Sequence, residues 1–184
     1  MILPVKKSKT AYFSYACTFA LLFILFSGCK DDSTTGSNNG TSQLDGFKVP
    51  EGYAIERIVD PKLISYPMFA SFDNSGRLFV FESDGSTPST EEMLKHPSYH
   101  VRLLVDTNDD GIFDRSTIFA DSLTIPKGGL FYKGSLYVTA SPDFLRITDT
   151  DNDGVGDKRE VIHTGWKLDH NAAVLGGPFM GPDG

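Results

Sequence analysis

Cysteine is nearly absent from this 184-residue chain: only Cys17 and Cys29 occur, and no Cys-x-x-Cys-His sequence is present. The missing motif excludes covalent attachment of a c-type haem to this chain. Basic residues are in deficit, with 17 Lys and Arg against 24 Asp and Glu and a formal net charge of −7. Nothing resembles a basic stripe, so nucleic acid is not an expected partner. Long apolar runs are confined to the N-terminus. The densest stretch, Phe19 to Phe26, is too short for a comfortable membrane span. Tryptophan occurs once, at Trp166, and is read as packed between sheets.

What the N-terminus does contain is an address. Lys6, Lys7 and Lys9 form a positive n-region, the apolar run follows, and Phe26-Ser27-Gly28-Cys29 resembles a bacterial lipobox. Residues 1–28 are therefore expected to be a lipoprotein signal peptide, with Cys29 acylated as the new N-terminus. Loss of three Lys takes the net charge to about −10. Cys17 leaves with the leader and Cys29 carries lipid, so neither a disulfide nor a free thiol remains. Residues 29–45 include a Ser, Thr, Gly and Asn tract, which reads as a flexible tether. Lys30-Asp31-Asp32 resembles the export signal of surface lipoproteins in the Bacteroidetes. The expected location is the cell envelope, as an outer-membrane lipoprotein held by its acyl chains and facing outward if that signal is used.

Two acidic stretches 43 residues apart carry the chemistry. Asp106-Thr107-Asn108-Asp109-Asp110-Gly111-Ile112-Phe113-Asp114 and Asp149-Thr150-Asp151-Asn152-Asp153-Gly154-Val155-Gly156-Asp157 share oxygen-bearing side chains at positions 1, 3, 5 and 9 and Gly at position 6. That spacing suits calcium, a hard cation taking six to eight oxygen ligands. The candidate ligands are Asp106, Asn108, Asp110 and Asp114 in loop one. In loop two they are Asp149, Asp151, Asp153 and Asp157, with Glu160 at position 12. Loop two, richer in carboxylates, is expected to bind more tightly. An EF-hand is rejected, because its loop needs a helix on each side whereas Phe144–Thr148 and Glu160–Thr164 read as strands. Without helices to orient it, Glu160 has the alternative of pointing into its strand. Metal-free turns are the competing explanation, since Asp, Asn and Gly dominate turns.

Strand–turn–strand patterns recur from Gly46 onward. Tyr53–Val59 alternates as a strand would, Phe69–Phe72 leads through Asp73-Asn74-Ser75-Gly76 into Arg77–Phe81, and Gly129–Tyr132 leads through Lys133-Gly134 into Ser135–Thr139. Ser89–Lys95 is the one expected helix, in an inserted loop. The class is all-β, and a period near 40–45 residues indicates four-stranded propeller blades. Residues 46–184 hold chain enough for about three such blades and end on a turn, Gly181-Pro182-Asp183-Gly184. The expectation is an incomplete β-propeller, a fragment of a longer protein.

The ordered series Gly52-Tyr53, Phe72–Val80, Asp106–Asp114, Phe119–Leu123, Pro126–Gly129, Leu136–Val138 and Asp149–Val161 resembles the N-terminal part of the membrane-bound dehydrogenase-like propeller family. Members often carry a C-terminal cytochrome c domain. Their propeller is similar to the glucose/sorbosone dehydrogenase type, six-bladed, which in its best-known members holds pyrroloquinoline quinone (PQQ) and calcium. The resemblance implies a full-length oxidoreductase acting on sugars or other alcohols. It also implies a base near Asp169-His170-Asn171, with His170 taking a proton from a substrate hydroxyl as hydride leaves. The segment from Ala172 to Met180 departs from the family pattern, where a second His or a Trp is common. The other reading is a non-catalytic, calcium-stabilised surface module that binds glycans or proteins. Lacking later blades, the chain alone is expected to be inactive. His96, His100 and His163 show no ligand-like grouping and are read as surface or turn residues.

Overall fold

A computed structural model describes residues 46–169 and 175–183. The signal peptide and the whole tether with Cys29, like His170, lie outside the described residues. Among the described residues, those up to Arg57 belong to one unit and those from Ile58 to another. The described part of the first carries turns only, including Tyr53 N–H to the Pro50 carbonyl at 3.2 Å.

The second unit is all-β. Strands β1 (Pro67–Phe72), β2 (Leu78–Glu82), β3 (Tyr99–Val105) and β4 (Arg115–Leu123) form one antiparallel sheet in chain order. Strands β5 (Pro126–Tyr132), β6 (Ser135–Ala140), β7 (Asp143–Thr148) and β8 (Lys158–Thr164) form a second of the same design. The described residues thus hold two sheets, where about three blades were expected. The difference lies in long connections: residues 83–98, 46–66 and 165–169 add no strand.

Local chemistry accounts for the hairpins. Asp73 closes the β1–β2 turn: its Oδ1 accepts from the backbone N–H of Ser75 and Arg77 at 2.8 and 2.9 Å, and its Oδ2 from Arg77 Nε at 2.6 Å. The β5–β6 turn places Lys133 and Gly134 both at positive φ, 47° and 80°, the requirement of a tight two-residue hairpin. The expected helix forms as α1 (Thr90–Lys95), capped by Ser89, whose Oγ accepts from Glu92 N–H at 3.1 Å.

The expected strand Tyr53–Val59 does not form. Only Val59 pairs, in an isolated parallel bridge to Phe113. Alternation alone cannot make a strand without a partner to take its N–H and C=O groups, and Pro61 starts a 3-10 turn directly afterwards.

The sheets meet face to face over one core. Phe79 and Phe81 of β2, Val101 and Leu103 of β3 and Phe119 of β4 pack with Leu136, Val138, Leu145 and Ile147 of the second sheet. Phe79 meets Phe119 edge-on at 5.0 Å and stacks on Phe131 at 5.1 Å. On the outward face of the first sheet, Leu78, Val80, Leu104 and Phe113 are covered by Ile58, Val59, Leu63 and Ile64. Alternation along β2 therefore sends Phe79 and Phe81 to one core and Leu78 and Val80 to another.

Candidate metal centre

The two acidic stretches are the β3–β4 and β7–β8 connections, at the same place in each sheet. Their backbones follow one template. Position 4 is left-handed in both, Asp109 at φ 59° and Asn152 at 62°, and position 6 is Gly111 at 87° and Gly154 at 90°. The position 6 N–H donates to Oδ2 of position 1: Gly111 to Asp106 at 2.8 Å, Gly154 to Asp149 at 2.9 Å. The position 7 N–H donates to position 5: Ile112 to Asp110 and Val155 to Asp153, each at 2.8 Å.

Position 9 closes the loop rather than entering it. Thr107 donates to Asp114 from its backbone at 3.2 Å and from its hydroxyl at 2.7 Å. Thr150 donates to Asp157 in the same two ways, with backbone N–H to Oδ1 at 3.0 Å. The Thr150 hydroxyl is the main reason that the Asp157 carboxyl lies below the usual carboxylate range. At Asp106 desolvation pushes the carboxyl up, but the backbone N–H groups of Gly111 and Asn108 prevail and hold it low.

Three of the expected ligands converge. Asp149, Asp151 and Asp153 each bring a carboxylate oxygen within 4.8 Å of the others. Asp149 Oδ1 is shielded from solvent and has no hydrogen-bond partner among the described residues. Loop one differs at position 3, where Asn108 donates its Nδ2 to Asp110 Oδ2 at 3.1 Å. That amide proton occupies an oxygen which loop two leaves without such a donor.

Glu160 does not join the group. It faces Arg146 across the β7–β8 ladder and accepts from Arg146 Nε and Nη2 at 2.8 and 2.6 Å. Arg146 holds its carboxyl below the ordinary value. With a strand and not a helix after the loop, register takes position 12 to the neighbouring strand. The observed cluster is therefore Asp149, Asp151 and Asp153, with Asp157 one step outside.

Residues 40–184 match the family model described as Domain of unknown function (DUF7133). The chain belongs to that family. No curated protein matches it, and no solved structure does. In this DUF7133 chain both hairpin loops fall inside the matched region.

A second polar constellation escaped sequence reading. Glu82, fully buried at the end of β2, accepts from Ser65 N–H at 2.7 Å and from Arg102 Nε at 2.9 Å, and lies 2.6 Å from His100 Nε2. Arg102 Nη1 reaches Ser116 Oγ at 3.0 Å, and Ser116 donates to the Leu63 carbonyl at 3.1 Å. This network fastens the Leu63–Ser65 segment over the outward face of the first sheet. His100, read from sequence as a surface or turn residue, is a strand residue within it. Trp166 packs edge-on against His163 at 4.7 Å.

Proposed function

We propose that this chain is the calcium-binding, all-β part of a cell-envelope lipoprotein of propeller architecture, in which a bound ion stabilises the β7–β8 hairpin. The observation that carries this reading is loop two: three converging carboxylates and a shielded Asp149 oxygen without a donor. Clustered carboxylates repel one another, and a divalent ion relieves the repulsion while filling its shell with their oxygens, a backbone carbonyl and water. Loop one, with Asn108 donating into it, is the weaker site.

The ion's role is structural in this reading. Both loops connect the third and fourth strands of their sheets, whereas the first strands, β1 and β5, make the closest approach between the sheets. The wider proposal, that the full-length protein oxidises sugars or other alcohols with PQQ and a base such as His170, rests on the resemblance of the sequence to quinoprotein propellers. Anchoring through acylated Cys29 rests on the lipobox.

Calorimetry with calcium on the wild-type chain and on Asp151→Ala and Asp110→Ala variants tests the site. The expected result is a tighter phase lost in Asp151→Ala and kept in Asp110→Ala. No uptake at millimolar calcium would return both loops to ordinary turns. Fatty-acid labelling of wild type and Cys29→Ser tests the anchor, and label retained by the Ser variant would exclude it.

A further inference from the structure

We propose that loop two is an ion-controlled clamp between the two sheets, so that filling it secures β4 against the β7–β8 hairpin. The inference rests on the calcium reading above and goes further, because it assigns the ion a consequence outside its own loop.

The contact that carries it is at position 8. Gly156 N–H donates to the carbonyl of Phe119, a residue of β4 in the other sheet, at 2.7 Å. Loop one makes the corresponding bond from Phe113 N–H to the Ile58 carbonyl at 2.8 Å, so its anchor is the leading segment of its own sheet. The residue at position 8 of loop two must be small. A Cβ there would overlap Ile147 and crowd both the ring and the carbonyl of Phe119. Position 6 lies nearby, since a Cβ on Gly154 would touch Leu103 and Thr117 of the first sheet. Two residues beyond the loop, Arg159 Nη2 donates to the Asp121 carbonyl at 2.8 Å. Loop two and the start of β8 are thus attached to β4 at Phe119 and at Asp121.

The same nine residues hold the carboxylate cluster and the inter-sheet bond. Asp149, Asp151 and Asp153 at positions 1, 3 and 5 can converge only while the chain reversal at Gly154 is kept, and that reversal delivers Gly156 to Phe119. An ion that binds only the closed loop favours the docked seam by the factor one plus ligand concentration over dissociation constant. Coupling is reciprocal, so weakening the seam must lower affinity for the ion by the same factor.

Amide exchange on the full chain, with and without calcium, reads this directly. At calcium one hundred times the dissociation constant, exchange of the Gly156 amide should slow by up to about 100-fold. Amides of residues 118–121 across the seam should slow with it, in wild type and not in Asp151→Ala. Arg159→Ala, which touches no candidate ligand, should weaken calcium binding several-fold in calorimetry. If calorimetry records calcium on loop two while exchange at 118–121 and the affinity of Arg159→Ala stay unchanged, the clamp is wrong and the metal site stands. If no calcium binds, both fall together.

Discussion

Replacing Glu82 by Ala should destabilise the fold far more than its single charge suggests. Its side chain is wholly buried and serves three donors: Ser65 N–H, Arg102 and His100. Removing one partner of a buried ion pair costs about 3–5 kcal/mol, because the other charge is left without compensation. Arg102 retains about a fifth of its exposure and keeps Ser116, so water and that hydroxyl recover part of the loss. The expected cost is therefore about 3 kcal/mol, near the lower end. With a urea dependence of about 2 kcal/mol per molar for a domain of this size, the unfolding midpoint should fall by roughly 1.5 M. Glu91→Gln is the control. Glu91 pairs with Lys95 on the exposed face of α1, and losing such a pair should change stability by under about 0.5 kcal/mol. Replacing the network together, Glu82→Leu with His100→Val and Arg102→Met, should recover most of the loss, since apolar residues of similar volume often match a buried ion pair. A midpoint for Glu82→Ala within about 0.3 M of wild type would refute the estimate, which rests on three bonds that all close on one carboxylate.

Other expectations follow from the same geometry. Gly154→Ala forces a side chain into φ 90° and should destabilise by about 1–2 kcal/mol by urea unfolding, with weaker calcium uptake. Phe79→Ala removes a fully buried ring that meets both Phe119 and Phe131, and should lower stability by about 3–5 kcal/mol in the same assay. The Asp157 carboxyl is held low by Thr150. Its contribution is thus complete above the unfolded value near about 3.9 and is lost only as pH falls through the depressed folded value. The Thr150 amide resonance should hold steady from neutral pH to about 4 and move below that; a midpoint above 4 would contradict the bond.

What could be read from the sequence was whatever is decided within a few residues. The Asp73–Gly76 turn, the Ser89 cap and the shared loop template each depend on bonds spanning two to seven positions, so side-chain type and spacing reveal them. The Glu82 network was hidden because its partners lie 17 to 20 residues away and meet only when β3 pairs with β2 and the segment before β1 folds back onto them. Glu160 was left between loop and strand for a related reason. Its spacing fits a twelve-residue calcium loop, but strand register, absent from local spacing, sets it against Arg146. Tyr53–Val59 has the alternation of a strand, yet only Val59 finds a pairing partner among the described residues.

The two loops together explain how one local motif can have different effects in the two sheets. They share the bonds from position 6 to position 1, from position 7 to position 5 and from position 2 to position 9, so the sequence repeat specifies the loop frame and not its surroundings. The difference enters at positions 3 and 8. Asn108 in place of an Asp provides its own donor and reduces the charge that an ion would neutralise. Phe113 in place of a Gly fills the outward cluster beside Leu78 and Val80, where it is covered by Ile58 and Val59. Loop one therefore closes its hairpin with an apolar plug. Loop two has three converging carboxylates and no plug, because position 8 must be glycine to reach Phe119. Without a side chain there, loop two is held instead by the Gly156 bond to Phe119 and by the same Asp-to-backbone bonds as loop one, and the cation proposed above would offset the mutual repulsion of its three carboxylates.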